Sequence, residues 1–389
     1  MEENKKGTIS EVAKVFFKLG CFAFGGPAAH IAMMEAEVVT KRKWMSKQHF
    51  LDLIGATNLI PGPNSTEMTM HCGHERAGWK GLFVAGICFI VPAIIITGVF
   101  GWVYAEYGGL DKIKPFFDGI QSVVLVIILG AVIKLGKKAV KGWELAVLGV
   151  LALAATLAGI SEIYALLGAG FLGTIYFYSK HKIGGPTKAL FPFLLTTTAT
   201  TGAAATLTTA KVFWSFLKVG SILYGSGMVL VAYLKVELVE PGLLTAEQLN
   251  HAIAVGQMTP GPVLSTATFI GWQMTGLPGA LAATAGMFLP SFLFVLILKP
   301  LVPKMRKSVI LGYFLDCVNV GAVAVMVSAL IYLGSVALLD MNATGIEMLN
   351  WRSIVILVLA LAYQFGVKKK NPIHLIIAGA VLGYALSFI

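Results

Sequence analysis

Two copies of a Pro-Gly-Pro sequence are the residues of this chain best suited to hold a ligand. They occupy Pro61-Gly62-Pro63 and Pro260-Gly261-Pro262. Because proline lacks a backbone N–H and clashes with the preceding helical turn, each copy predicts a helix break. Uncharged hydrogen-bond donors flank both copies and could replace the water shell of an anion; the alternative is a hairpin tip stabilised by local side-chain bonds. These flanking candidates are Asn58, Asn64, Ser65, Thr66, Gln257, Thr259 and Ser265.

A second predicted break is Phe24-Gly25-Gly26-Pro27, which is followed by His30. Two glycines and a proline end one helix, and proline suits the first turn of the next. A new helix start presents free N–H groups and a partial positive charge, which favour an anion. A packing kink is the alternative. The related sequence Tyr224-Gly225-Ser226-Gly227 in the second half of the chain favours the binding role.

These motifs belong to an internal duplication. Phe17-Lys18-Leu19-Gly20 recurs as Leu217-Lys218-Val219-Gly220 at an offset of 200, and the Pro-Gly-Pro copies are offset by 199. Further along, Pro92 matches Pro290 at an offset of 198. An offset that drifts so slowly over about 100 positions indicates two homologous halves.

Three pairs of charged residues occupy equivalent positions within or beside apolar sequence. They are Lys18 and Lys218, Glu37 and Glu237, and Asp118 and Asp316. A charge at the bilayer centre costs about 2.5–3.5 kcal/mol, so these positions predict inward ion pairs or function, whereas the alternative is snorkelling at helix ends. For Asp118 and Asp316 the start of a span is the preferred interpretation. The candidates for ion coupling are Lys18, Lys218, Glu37, Glu67, Glu237 and His30, with ion pairing as the alternative role.

The composition places the chain in a membrane. Of 389 residues, 57% are hydrophobic and 13% are charged, against roughly 25% charged in soluble domains. The net charge of +11 comes from short basic clusters between apolar runs, a pattern typical of cytoplasmic loops and not of nucleic-acid binding. Neither a cofactor nor a metal is predicted, although His71-Cys72-Gly73-His74-Glu75 has ligand-like spacing in one half only.

The predicted fold is an all-α polytopic membrane protein with two inverted-topology repeats, interrupted or re-entrant helices and about 9–10 full spans. The loop at Lys41-Arg42-Lys43 is basic, whereas its counterpart around Gly242 is acidic, so the two halves are expected to face opposite sides. The predicted domains are a first repeat over 1–185, a linking transmembrane helix over 186–210 and a second repeat over 211–389. Paired interrupted helices in inverted repeats point to a site at the midplane.

The motifs resemble those of the chromate ion transporter family in its fused two-domain form. The resemblance rests on Lys18-Leu19-Gly20 through Pro27 and His30, on Asn58 to Glu67, and on the second-half copies. The second half of the sequence departs from the family's Gly-Gly-Pro pattern, because it has Gly225-Ser226-Gly227 there. The resemblance implies efflux of chromate, which would confer chromate resistance, with sulfate as the expected competitor.

The leading hypothesis is therefore a secondary transporter in the cytoplasmic membrane that exports chromate by alternating access. Uptake or exchange of sulfate or another oxyanion is the alternative within transport. A membrane-embedded enzyme using His71, Cys72 and His74 is the alternative outside it. The expected partners are the oxyanion, the lipid bilayer and a second copy of the chain, with no nucleic acid.

Overall fold

The computed structural model describes residues 7–23, 27–57, 60–107, 114–183, 208–223, 229–298, 308–339, 350–367 and 372–388. Across these ranges the chain is helical and contains no β-strand, which confirms the predicted all-α class. The first half has α1 (Ile9–Phe22), α2 (Pro27–Met34), α3 (Lys47–Thr57), α4 (Asn64–Tyr107), α5 (Lys114–Ala139), α6 (Trp143–Leu157) and α7 (Glu162–Ile183). The second half has α8 (Thr209–Ile222), α9 (Leu230–Leu234), α10 (Ala246–Met258), α11 (Thr266–Leu298), α12 (Val309–Leu338), α13 (Trp351–Gly366) and α14 (Pro372–Leu386).

Four helices are long and apolar enough to cross a membrane, by length and composition: Asn64–Tyr107, Pro115–Ala139, Val263–Ile297 and Val309–Leu338. The helices α6, α13 and α14 are shorter and apolar. The predicted linking helix over 186–210 lies almost wholly outside the described residues. Ser308 caps the start of α12 by accepting a hydrogen bond from the N–H of Leu311.

The two long helices α4 and α11 bend sharply at equivalent positions. In α4 the break is at Ala77 (φ −138°, ψ 23°) and Gly78 (φ 65°, ψ −156°). In α11 it is at Thr275 (φ −144°, ψ 27°) and Gly276 (φ 68°, ψ −152°). Glycine is required where φ is positive at the bend. Residues 198 apart thus adopt nearly the same backbone, so the duplication seen in the sequence extends to local geometry.

Each bend folds the helix back on itself. The backbone of Gly73 lies against that of Gly81, and Gly271 lies against Gly279, with no space for a Cβ at any of the four positions. Each long helix is therefore a hairpin of a short first arm and a longer second arm. The helices that precede them are short, for example 14 residues in α1 and 11 in α3, whereas a span needs about 20. These lengths agree with the predicted re-entrant segments.

The two long helices pack side by side in opposite directions. Gly86, close to the bend of α4, contacts the ring of Phe292, which is far from the bend of α11. Gly101, far from the bend of α4, contacts Trp272, which is close to the bend of α11. The two bends therefore lie at opposite ends of the helix pair.

The later helices of each half pack on a helix of the other half. α6 and α7 of the first half pack on α12 of the second half, and α13 and α14 of the second half pack on α5 of the first half. Close glycine contacts allow this, since Gly119 of α5 meets the backbones of Gly379 and Gly383 in α14. These reciprocal contacts between equivalent helices make each half depend on the other for its core.

Candidate functional site

The two Pro-Gly-Pro turns are held by reciprocal hydrogen bonds between the halves. The N–H of Gly62 donates to the carbonyl oxygen of Leu223 at 2.6 Å, and the N–H of Gly261 donates to that of Ala23 at 2.9 Å. Ala23 and Leu223 are equivalent residues that end α1 and α8. Both glycines have positive φ, at 141° and 85°, so proline breaks the helix and glycine makes the turn. Each turn thus anchors the broken helix of the other half.

The turns also contact the second arm of the long helix from the other half. A Cβ on Gly62 would lie 2.6 Å from Ser291 Oγ in α11, and a Cβ on Gly261 would lie 3.1 Å from Ala93 Cβ in α4. Ala93 and Ser291 are equivalent, and each is 15 residues beyond its own bend, so the two turns meet equivalent points of the second arms. The Pro-Gly-Pro residues other than the half-buried Pro61 are buried. Both turns are therefore buried against the opposite half.

His30 supports the second of these turns. Its Nε2 lies 3.1 Å from the carbonyl oxygen of Ala23, which also accepts the bond from Gly261. The ring meets Phe89 edge-on, with centroids 5.6 Å apart. His30 is buried, and its equivalent in the second half is Leu230, so the site is not fully symmetric.

Buried hydroxyl groups surround the turns. Thr66 and its equivalent Ser265 lie in the first turn after each Pro-Gly-Pro, and Ser291 lies on the second arm of α11. All three are at most 3% exposed, and their side-chain oxygens have no hydrogen-bond partner among the described residues. Because buried polar atoms are normally satisfied, these donors are suited to a ligand that accepts hydrogen bonds.

Glu67 lies among these hydroxyls, in the first turn of α4. Its side chain is fully buried, and neither carboxyl oxygen has a hydrogen-bond partner within the described part of the chain. A Cβ on Gly62 would collide with its Oε1. The equivalent residue Thr266 donates instead to the carbonyl oxygen of Val263 at 2.7 Å. The carboxyl group is therefore a feature of one half only.

Three of the other charged candidates, Lys218, Glu37 and Glu237, form ion pairs, whereas the side chain of Lys18 is exposed. Lys218 Nζ lies 2.6 Å from Glu237 Oε2, and Glu37 pairs with Arg42 at 3.1 Å and with Lys41 at 3.6 Å. Burial opposes ionisation of Glu37, but the hydrogen bond from Arg42 and the charges of Lys41, Arg42 and Lys18 lower its pKa below the ordinary value. These contacts favour the ion-pairing alternative for Glu37 and Glu237.

The remaining sequence-predicted residues have mixed outcomes. Pro27 begins α2 as predicted, Asn64 begins α4, and buried Ser65 follows it. Buried Thr259 ends α10 and donates to the carbonyl oxygen of Gly256, while half-buried Gln257 precedes it. Several candidates lie outside the described residues: Gly25, Gly26, Asn58, Tyr224, Gly225, Ser226 and Gly227.

The symmetric aspartates differ in position. Asp118 lies near the start of α5, as expected, on the wall of a cavity of about 290 Å³ that also includes Arg352 and Ser387. Asp316 lies two turns inside α12 and not at its start, and there its Oδ1 pairs with Lys141 Nζ at 2.5 Å. The residues that line this cavity include none from the Pro-Gly-Pro turns.

Sequence reasoning missed a buried polar group around His251 of α10. Its Nδ1 lies 2.9 Å from Tyr104 Oη of α4, and its Nε2 lies 3.3 Å from Gln121 Nε2 of α5. The adjacent Asn250 is fully buried, with no partner for its side-chain amide among the described residues. The polar pair Asn250-His251, directly before the apolar run Ala252 to Val255, was the available signal. These contacts join the second half to the first beside the site.

Comparison with known proteins gives the family. The family model described as "Chromate transporter" matches residues 10–174 and again 210–384. The chain belongs to the chromate transporter family. A protein of Synechococcus elongatus named "Probable chromate transport protein" is 30% identical over 95% of this chain and 94% of its own length.

Other relatives support this membership. The "Chromate transport protein" of Cupriavidus metallidurans is 30% identical, covering 96% of this chain and 92% of the relative. That of Pseudomonas aeruginosa is 28% identical, covering 95% and 90%. No solved structure matches. Since the family consists of transport proteins, the chain is a multi-pass membrane transporter and not an enzyme, as the sequence analysis predicted.

Proposed function

We propose that this transporter exports chromate from the cytoplasm and that the oxyanion binds between the two Pro-Gly-Pro turns at the bilayer midplane. The observation that carries this proposal is the reciprocal contact of Gly62 with Leu223 and of Gly261 with Ala23, with unpartnered hydroxyls around it. The names of the relatives from Cupriavidus metallidurans and Pseudomonas aeruginosa supply the substrate.

The chemistry of the turns suits a tetrahedral dianion. Helix starts at Asn64 and at Val263 point backbone N–H groups and the positive end of the helix dipole towards the turns. Buried hydroxyls add neutral donors, which replace hydration without holding the anion as tightly as a lysine would. Sulfate has the same charge and shape, so uptake or exchange of sulfate is the second candidate.

In this proposal the site is exposed to the two sides of the membrane in turn, by alternating access between the interlocked halves. In our proposal the two halves are inverted repeats, and the antiparallel packing of α4 and α11 supports this. Related halves that hold one site between them can exchange conformations, so that the site opens first to one side and then to the other. Each turn bonds to the opposite half and would move with it.

Reconstitution of the pure protein tests the proposed substrate. Proteoliposomes loaded with chromate are expected to show counterflow of labelled chromate, and sulfate should compete for the same site. Counterflow of sulfate that chromate does not inhibit would favour the second candidate. Liposomes without protein provide the background for leakage.

Cysteine labelling tests the inverted topology. We expect cysteines at Lys43, Lys138 and Lys369 to react only from the cytoplasmic side and a cysteine at Gly242 to react only from outside, because basic loops stay in the cytoplasm. The native thiols Cys21, Cys72, Cys88 and Cys317 are first replaced by alanine. Labelling of Lys43→Cys and Gly242→Cys from the same side would contradict the inversion.

A further inference from the structure

We propose that Glu67 binds the transported oxyanion in its protonated form and that loss of this proton weakens anion binding. The proposal rests on the anion site proposed above and adds a titratable ligand to it. It would make the apparent affinity depend on pH while the proton stays on Glu67 through the transport cycle.

The carboxyl group of Glu67 lies beside the first Pro-Gly-Pro turn. Glu67 Oε1 and Ser291 Oγ both lie within 2.6 Å of the point that a Gly62 Cβ would occupy. Gly62 bonds to the second half, and Ser291 belongs to that half. The carboxyl therefore lies at the junction of the first Pro-Gly-Pro turn with the opposite half, where the anion is proposed to bind.

No compensating charge is paired with Glu67 among the described residues. None of the ion pairs found there involves Glu67, and neither of its oxygens has a hydrogen-bond partner there. An ionised carboxylate that is buried without a partner is strongly unfavourable, and such a group takes up a proton instead.

The neighbouring elements also carry titratable groups, of which His30 and His71 are buried. Glu11 bonds to Arg76 and Trp44, His49 pairs with Glu75, and the side chains of Lys14 and Lys18 are exposed. α11 contributes no charged or histidine residue. Other titratable groups lie on α1 to α3, on the segment between α2 and α3, on the first arm of α4, and on α8 and α10: Glu11, Lys14, Lys18, Cys21, His30, Glu35, Glu37, Lys41, Arg42, Lys43, Lys47, His49, Asp52, His71, Cys72, His74, Glu75, Arg76, Lys211, Lys218, Glu247 and His251.

The protonation state decides what Glu67 does to an anion. A protonated carboxyl is neutral and has one O–H donor, which joins the unpartnered hydroxyls of Thr66 and Ser291. A carboxylate only accepts hydrogen bonds and repels a dianion at short range. Proton binding and anion binding therefore favour each other, and affinity falls as pH rises once Glu67 ionises.

The test is to measure the affinity of the purified full-length transporter for chromate at a series of pH values from about pH 6 to about pH 9. In each measurement the whole sample is at one pH. Wild type is expected to lose affinity with rising pH, by up to tenfold per unit. The Glu67→Gln variant keeps a neutral hydrogen-bond donor, so its affinity for chromate at low pH should lie within about tenfold of that of wild type. Its affinity should not show the decrease at high pH that is expected of wild type. Chromate itself titrates, but this contribution is common to all variants.

The control is Glu144→Gln, because Glu144 pairs with Lys180 and Tyr176 at the start of α6 and should keep the wild-type pH profile. If Glu67→Gln is not monodisperse in detergent, Glu67→Thr introduces the residue found at the equivalent position of the second half. The infrared band of a protonated carboxyl should also shift when chromate binds to wild type and should show no such shift in the Glu67 variant.

Two outcomes separate this inference from the proposed function. If wild type binds chromate and its pH profile matches that of the Glu67 variant, or the carboxyl band does not respond to chromate, the role of Glu67 is wrong and the anion site stands. If wild type binds neither chromate nor sulfate at any pH, the proposed function fails, and this inference fails with it.

Discussion

Replacing Gly62 by leucine is expected to abolish chromate transport while the chain still inserts in the membrane. At φ 141° any side chain is strained, and a Cβ would collide with Glu67 Oε1 and Ser291 Oγ. The turn would move off the second half and weaken the bond from the Gly62 N–H to Leu223. Misplacement of binding groups by about 1 Å costs on the order of 100-fold, so the transport rate should fall at least that far.

The measurement is chromate flux and binding in proteoliposomes, normalised to inserted protein. Gly334→Leu is the matched control, since Gly334 is a helical glycine of α12 with open space around it, and its activity should match wild type. Gly26→Leu, at the other predicted break, should behave like Gly62→Leu. Unchanged anion affinity in both the Gly26 and Gly62 variants would rule out the proposed site.

An inside-negative membrane potential is expected to accelerate chromate export. Moving one elementary charge through 100 mV is worth about 2.3 kcal/mol. A dianion leaving an inside-negative compartment gains about twice this, about 4.6 kcal/mol, which corresponds to a roughly thousandfold gradient at equilibrium. Export therefore needs no coupling ion, whereas accumulation would need one or more protons or cations.

The potential can be imposed on proteoliposomes with a potassium gradient and valinomycin, with chromate efflux followed at equal pH on both sides. Reversing the potassium gradient serves as the internal control and should slow efflux. Efflux that ignores the imposed potential but follows a pH gradient would contradict uncoupled export. It would then direct attention to proton carriers, and Glu67 would be the first to examine.

Local signals in the sequence determined much of the fold. Proline and glycine act on the backbone within one or two residues, so the breaks at Pro61 to Pro63 and Pro260 to Pro262 could be predicted without knowing what surrounds them. Apolar composition established the membrane environment for a similar reason, since the bilayer selects each span by its own hydropathy. The duplication was visible as repeated spacing and predicted two related halves.

The tertiary structure decided which residues meet. Nothing in the spacing indicated that Gly62 would bond to Leu223 of the other half, or that α6 and α7 would pack on α12. Partner choice depends on the path of the whole chain, and a repeat pattern is the same whether the halves pack separately or exchange helices. From the sequence alone, Glu37, Glu67 and Glu237 were equivalent candidates, since all three are charged residues in apolar surroundings. Only packing distinguished them. Glu37 and Glu237 each pair with a basic side chain, whereas Glu67 lies among hydroxyl groups and takes part in none of the ion pairs of the described residues.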